Sequence, residues 1–160
     1  MRLYLLRHGK AEERAAWHGD DAARPLTAAG EEEVRREAEA LHALGLAPDV
    51  IVTSPLARAR RTAEIVSAGL GLEERLVEDA RLAPGFDVAR LEQIAAAHGA
   101  PESLMVVGHE PDFSETIGTL IGGGDVAMRK GGLARVDVTG FVAGGGRLVW
   151  LLPPSLLQGR

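Results

Sequence analysis

The chain has 160 residues, a length that fits a single domain over residues 1–160 with a substantial buried core. A net charge of −5 and an ordinary hydrophobic content of 46% give no reason to expect a nucleic acid or a membrane as partner. The chain has no cysteine, which excludes disulfides and thiolate chemistry, and no run near the roughly 18 apolar residues of a membrane span, so we expect a cytoplasmic protein.

The first half of the chain alternates between apolar strands and amphipathic helices. Arg2–Leu6 predicts a strand, and a polar stretch without clear periodicity follows from Lys10 to Pro25. Thr27 is a candidate N-cap for a helix that runs to about Ala43. A second buried strand, Val50–Thr53, ends before a proline, and a helix from about Ala57 to Leu70 follows it.

The second half continues the alternation and indicates the fold class. The predicted elements are a short strand at Arg75–Glu78, a helix from its cap Asp87 to about His98, a strand at Leu104–Val107, a helix from Pro111 to about Ile121, and late strands at Leu133–Val138 and Arg147–Leu152. Apolar strands that alternate with helices are typical of a largely parallel sheet covered on both faces.

Polar residues with matching chemistry follow three of these strands. Arg7 and His8 end the first strand, Arg58 lies in the first turn of the helix after the second, and His109 follows the Leu104–Val107 strand. If these strands are parallel, all of these residues meet at one edge of the sheet. Two arginines, two histidines and a helix N-terminus form a pocket suited to a dianion such as a phosphoryl group.

The ordered combination of these segments resembles a known family. The segments are Leu6-Arg7-His8-Gly9, the run from Ser54 to Ala63 with the sequence SPLARARRTA, Val107-Gly108-His109-Glu110, and Arg24-Pro25-Leu26-Thr27-Ala28-Ala29-Gly30. The first three look like the motifs of the histidine phosphatase superfamily, and the fourth is similar to its SixA-type phosphohistidine phosphatase branch. The resemblance implies a phosphoglycerate mutase-like fold, a three-layer α/β/α sandwich with a mixed, mostly parallel six-stranded sheet.

The resemblance also implies roles for the four residues at the strand ends. His8 is the nucleophile, a neutral imidazole that forms a phosphohistidine intermediate. Arg7 and Arg58 hold the phosphoryl oxygens, and His109, protonated, donates to the same oxygens. Water then hydrolyses the phosphorylated His8. This scheme needs no metal and no cofactor.

The proton donor for the leaving group is the open part of the site. Larger family members are expected to place a carboxylic acid after the third strand, and no residue here clearly matches that motif. Asp87 and Glu110 are the candidates, although Asp87 reads better as a helix cap. A phosphoramidate nitrogen is more easily protonated than an ester oxygen, so a site without a dedicated acid favours phosphohistidine.

The sequence therefore predicts a metal-independent phosphatase that acts on phosphohistidine of a protein. One alternative is a small phosphomonoesterase for a metabolite or nucleotide, and another is a non-catalytic module that binds a phosphorylated partner. We expect a monomer or weak dimer. In the polar stretch, we expect Asp21 to pair with Arg24 and Lys10 to be a solvated loop residue. A position of His18 at the border of the pocket is a minor alternative. Lys130 has no assigned role.

Overall fold

A mixed six-stranded sheet between two layers of helices forms the architecture of the computed structural model, which describes residues 1–158. The strands are β1 (Arg2–Arg7), β2 (Val50–Thr53), β3 (Leu76–Glu78), β4 (Ser103–Gly108), β5 (Leu133–Val138) and β6 (Gly146–Leu152). The helices are α1 (Ala28–Ala43), α2 (Ala57–Leu70), α3 (Val88–Ala97), α4 (Asp112–Leu120) and the short α5 (Pro154–Leu157). The predicted α/β/α fold is confirmed.

The strand order is β3-β2-β4-β1-β5-β6. Strands β3, β2, β4 and β1 run parallel, whereas β5 is antiparallel to β1 and β6 is antiparallel to β5. The carboxyl ends of β1, β2 and β4 therefore lie at one edge of the sheet, side by side, with β4 in the middle. This is the condition on which the predicted pocket depends.

The helices cover the two faces of the sheet with separate apolar cores. On one face, α1 and α2 bury residues such as Val34, Ala38 and Val66. On the other, α3 and α4 bury residues such as Leu91 and Phe113. The central strands β1 and β4 are apolar on both sides because each of their faces packs against a helix layer.

The predicted helix ends agree with the structure. The Thr27 hydroxyl accepts the Gly30 N–H at 2.9 Å, and the Asp87 carboxylate accepts the Arg90 N–H at 2.9 Å. Gly71 ends α2 in the left-handed region, with φ of 70°, which costs a glycine little.

Three local features differ from the prediction or add to it. Strand β3 begins at Leu76, one residue late, because Glu73–Arg75 forms a 3-10 turn. The polar stretch after β1 contains two further 3-10 turns, at Arg14–Ala16 and Asp21–Ala23. Helix α5 was not predicted, since four residues are too few for a periodic pattern. Within residues 1–158, no helix has the length and apolar character needed to cross a bilayer.

Candidate active site

The ends of β1, β2 and β4 bring the predicted site residues together. Arg7 lies opposite Gly108 in the parallel pairing of β1 with β4, and the His8 N–H donates to the Gly108 carbonyl at 3.0 Å. On the other side of β4, the Ser54 N–H donates to the Val107 carbonyl at 3.0 Å. The rings of His8 and His109 consequently lie 5.4 Å apart between their centroids.

His8 is oriented and kept neutral by its surroundings. Its Nδ1 lies 2.8 Å from the Gly9 carbonyl oxygen, which can only accept, so Nδ1 carries the proton and Nε2 keeps a free lone pair. Burial of the ring is the main reason that its pKa falls to about 3. The Gly9 carbonyl raises the pKa, whereas His109, Arg58 and Arg7 lower it further. A neutral imidazole with a free Nε2 is the form that can attack phosphorus.

Thr62 couples the turn after His8 to helix α2. Its hydroxyl accepts the Gly9 N–H at 3.1 Å and donates to the Arg58 carbonyl at 2.7 Å. Gly9 cannot carry a side chain here, because a Cβ would lie 2.6 Å from Cγ2 of Val34. Thr62 has no predicted role, although its spacing of four residues from Arg58 places both on one helix face.

Arg7 is held by the loop that precedes β5. Its Nη1 donates to the Met128 carbonyl at 2.7 Å, and the Gly131 N–H lies within hydrogen-bond distance of the carbonyls of Arg7 and His8. Burial lowers the pKa of the guanidinium, and Glu110 opposes that effect. The loop thus fixes both the backbone and the side chain of the first motif.

Arg58, in the first turn of α2, contacts Asp21 with both ends of its guanidinium. Its Nη1 donates to the Asp21 carbonyl at 2.9 Å and its Nη2 to the Asp21 carboxylate at 3.2 Å. The same carboxylate accepts from Nε of Arg24 at 3.0 Å, which confirms the predicted pairing of Asp21 with Arg24. The contact with Arg58 was not predicted, because nothing in the local sequence relates positions 37 residues apart.

Burial favours the neutral form of His109 in the ligand-free protein, and the protonated form that the resemblance implies belongs to the state with a bound phosphoryl group. Burial and the Arg58 charge lower its pKa to about 4, and Asp21 opposes the effect. Its Nε2 lies 2.7 Å from Oγ of Ser54, which accepts the Leu56 N–H at 3.2 Å. The Ser54 hydroxyl can therefore donate to Nε2, which leaves the proton of the neutral ring on Nδ1. A neutral His109 is then still a donor.

Among residues 1–158, three buried nitrogens of the site lack a hydrogen-bond partner: Nε of Arg7, Nε of Arg58 and Nδ1 of His109. Leaving buried donors unsatisfied is costly, and structures rarely retain such groups without a functional reason. An oxyanion with several acceptor lone pairs is the chemical group that satisfies donors of this kind. All three nitrogens belong to residues that are predicted to contact a phosphoryl group.

The two candidate proton donors are occupied elsewhere. Asp87 is exposed and caps α3, the role that the sequence favoured over that of a proton donor. Glu110 accepts hydrogen bonds from both the backbone N–H and the hydroxyl of Ser114. Asp112 accepts the N–H groups of Gly85 and Phe86 at 2.8 and 3.1 Å. None of these carboxylates forms a hydrogen bond or an ion pair with the four predicted site residues, although the charge of Glu110 acts on Arg7.

The remaining polar residues near the motifs are peripheral. Lys10, His18 and Lys130 are exposed and have no hydrogen bond from their side chains within residues 1–158. In that same part of the chain, no group of three or more His, Asp or Glu side chains is arranged to hold a metal ion.

Comparison with known proteins agrees with this geometry. The family model of the histidine phosphatase superfamily, branch 1, matches residues 3–84, a range that includes His8 and Arg58. The chain belongs to the histidine phosphatase superfamily. An uncharacterised protein of Picosynechococcus sp. strain PCC 7002 is 44% identical over 120 residues, which cover 72% of this chain and 70% of that protein.

Solved structures of the superfamily place the chain in its SixA-like branch. The protein histidine phosphatase SixA complexed with tungstate has a TM-score of 0.84 and 28% identity, with 98% of this chain and 99% of the other covered. The putative phosphohistidine phosphatase SixA of Agrobacterium tumefaciens has a TM-score of 0.79 and 28% identity, with 96% and 97% covered. These matches include the His109 region, which lies beyond the family model.

Other members of the superfamily are also similar to this chain. The probable phosphoglycerate mutase GpmB of Klebsiella pneumoniae is 40% identical over 86 residues, which cover 51% of this chain but only 37% of GpmB. A putative α-ribazole-5′-P phosphatase of Escherichia coli K-12 shares the fold, with a TM-score of 0.71 at 21% identity over 96% of this chain and 97% of the other. Proteins described as a mutase and as a phosphatase are thus both similar to this chain, so similarity alone does not select a substrate.

Proposed function

We propose that this protein is a phosphohistidine phosphatase that acts on a phosphorylated protein through a covalent phosphohistidine on His8. The three unpartnered nitrogens of Arg7, Arg58 and His109, which surround a neutral His8, are the observation that carries the proposal. They supply donors for a dianion next to a nucleophile with a free lone pair.

The proposed reaction has two steps. In the first, the Nε2 lone pair of His8 forms a bond to phosphorus while the bond to the leaving group breaks. Arg7, Arg58 and the Nδ1–H of His109 stabilise the charge on the transferring oxygens. In the second step, water attacks the phosphorylated His8 and releases phosphate. The bound dianion raises the pKa of His109 during the reaction, so the ring becomes a stronger donor when charge accumulates.

Two observations support phosphohistidine as the substrate. Asp87, Glu110 and Asp112 are engaged by other partners in the described structure, and imidazole needs less help from an acid to leave than an alkoxide does. The SixA structures, with which this chain shares its fold over almost its whole length, are described as protein histidine or phosphohistidine phosphatases.

A phosphomonoesterase for a small metabolite is the second candidate, supported by the likeness to GpmB over half of the chain. A substrate panel separates the two. We expect purified protein to hydrolyse a phosphohistidine protein or free phosphohistidine at a much higher kcat/KM than phosphoserine, phosphotyrosine or sugar phosphates. Rapid turnover of a sugar or nucleotide phosphate without phosphohistidine activity would contradict the proposal, and stable phosphorylation without release would favour a binding module.

A further inference from the structure

Asp21 is the carboxylate in direct contact with the proposed phosphate-binding residues. Within residues 1–158, it is the only acidic side chain within 4 Å of the guanidinium of Arg7 or Arg58. Arg24 and Arg14 also face it, at 3.0 and 3.6 Å. The hydrogen bond from Arg24 and the charges of these arginines lower its pKa, so Asp21 is an anion at neutral pH.

The Asp21 carboxylate is also open to a ligand. Its side chain is 44% exposed, and its two oxygens have more lone pairs than the contacts with Arg24 and Arg58 use. A shallow concavity of about 300 Å³ next to it is lined by Arg14, Trp17, Gly19 and Asp21. The Trp17 indole N–H donates to the Asp20 carbonyl at 2.9 Å, which fixes the orientation of the ring. The concavity therefore has room for the planar ring of a ligand beside the Asp21 carboxylate.

The leaving group of a phosphohistidine has a feature that a phosphate ester lacks. One ring nitrogen carries the phosphoryl group, and protonation of the other nitrogen makes the ring a cation. When His8 attacks, the electron pair of the breaking P–N bond returns to that ring, which departs as neutral imidazole with its proton still in place. No acid is required in this step, but a carboxylate that accepts the ring N–H stabilises the reactive protonated form.

We propose that Asp21 binds the substrate by accepting the N–H of the leaving imidazole, with the ring lying in the concavity beside Trp17. This inference rests on the proposed function and adds to it the residue that selects a phosphoramidate over an ester. Asp21 contacts Arg58, which holds the phosphoryl group, so the carboxylate lies at the boundary between phosphate and leaving group. The phosphoryl dianion offsets the arginine charges that surround Asp21 once substrate is bound.

The test compares Asp21→Asn with Asp20→Asn, a matched control in the same loop. Asp20 is exposed and contacts the backbone N–H of Ala22 rather than Arg58. The substrates are phosphoimidazole and free phosphohistidine against p-nitrophenyl phosphate, whose leaving group needs no proton, and tungstate serves as a probe of the phosphate pocket. We expect Asp21→Asn to lower kcat/KM for the two phosphoramidates by about 10- to 100-fold.

The other measurements should change little in this variant. Hydrolysis of p-nitrophenyl phosphate and inhibition by tungstate should stay within about threefold of the wild type, because the backbone carbonyl at position 21 still accepts Nη1 of Arg58 and the amide oxygen of Asn can still accept Nε of Arg24. The decline of kcat for phosphoimidazole with rising pH should move to lower pH in Asp21→Asn, because the carboxylate no longer favours the protonated form of the bound ring. Asp20→Asn should match the wild type throughout.

Specific results would overturn the inference. Equal losses on phosphoramidates and p-nitrophenyl phosphate, with weaker tungstate inhibition, would make Asp21 only a positioning residue for Arg58. Full phosphoramidate activity in Asp21→Asn would remove any role. If Asp21→Asn does not fold, as monitored by thermal unfolding, Asp21→Ser provides the same comparison. A wild-type protein that hydrolyses only esters would contradict the proposed function itself. Results that depart from expectation only in Asp21→Asn would contradict the role of Asp21 and leave the proposed function standing.

Discussion

The two ends of strand β1 differ in what they bury. At its amino end, Tyr4 and Trp150 lie with ring centroids 6.0 Å apart and help to line an apolar groove of about 530 Å³ together with residues such as Leu41 and Leu44. At its carboxyl end, Arg7 and His8 lie among buried charges. A groove of this size therefore lies at the end of β1 that carries no candidate catalytic groups.

The difference shows that chemistry rather than volume identifies the site. Five buried side-chain atoms in residues 1–158 lack a hydrogen-bond partner, and four of them lie at the carboxyl end of β1 or directly behind it. Three are the nitrogens of the proposed phosphate pocket, in Arg7, Arg58 and His109, and the fourth is Oε2 of Glu37, whose carboxylate packs against Gly131. The carboxyl end of β1 therefore carries groups whose burial costs stability. We expect substitutions at this end to change either activity or stability, and a substitution at the amino end to change neither.

His8→Ala should produce the largest effect. Removing the nucleophile should lower kcat by at least about 10⁴-fold while the variant stays folded, since a small neutral side chain replaces a buried neutral ring. The measurement is turnover together with acid-labile phosphate trapped on the protein, which should appear in the wild type and not in His8→Ala. Full activity in the variant would refute the proposed mechanism.

Arg58→Ala should lower kcat/KM by about 10²- to 10³-fold, because one set of donors to the transferring oxygens is lost. Arg60→Ala is the matched control on the same helix, since Arg60 is half-exposed and pairs with Glu64 and Glu78 at the surface. A similar loss in both variants would point to a general effect of charge on the helix rather than to a direct contact with phosphate.

Glu37→Gln should raise stability at alkaline pH. Burial raises the pKa of Glu37 to about 7 from 4.5, so the folded protein binds the proton more tightly than the unfolded chain, and stability is lost as pH rises from about 4.5 to 7. The cost when the group is ionised is on the order of 3 kcal/mol.

The measurement for Glu37→Gln is urea unfolding at pH 8 and pH 5. We expect the variant to gain about 1–3 kcal/mol at pH 8 and clearly less at pH 5. Its amide can keep the hydrogen bond that Gln158 donates to Oε1, at 2.9 Å in the wild type. An equal change at both pH values would show that ionisation of Glu37 is not the cause.

The rings of His8 and His109 should stay neutral between pH 5 and 8 in the ligand-free protein. Both have a lowered pKa, about 3 and about 4, so the folded state resists protonation, and these rings contribute stability that is lost only as pH falls below about 6.5 toward those values. NMR titration of the two rings tests this directly. A titration of either ring near pH 6.5 would contradict the burial argument.

Leu44→Ser, at the opposite end, should have the smallest effect. Leu44 is 70% exposed beside the apolar groove, so we expect a change in stability within about 0.5 kcal/mol and no change in kcat/KM. Steady-state kinetics and urea unfolding suffice as measurements. A clear change in activity would show that the groove is coupled to the site and would weaken the contrast between the two ends.

Local sequence determined most of the elements of this fold. The caps at Thr27 and Asp87 form because a short oxygen-bearing side chain satisfies free N–H groups wherever a helix begins. The apolar runs of β1, β2 and β4 required a sheet covered on both faces, and the resemblance to the histidine phosphatases followed from short motifs at fixed positions. These features depend on neighbours along the chain, which is why the sequence shows them.

Contacts between distant segments were decided only by the tertiary structure. Arg58 contacts Asp21, 37 residues away, and His109 contacts Ser54, 55 residues away. Arg7 donates to the Met128 carbonyl, 121 residues away. The neutral state of His109 also depends on burial by elements that no local pattern specifies. The sequence by itself therefore determined which residues could form the site, whereas packing decided their partners and charge states, because hydrogen bonding and desolvation depend on distance in space.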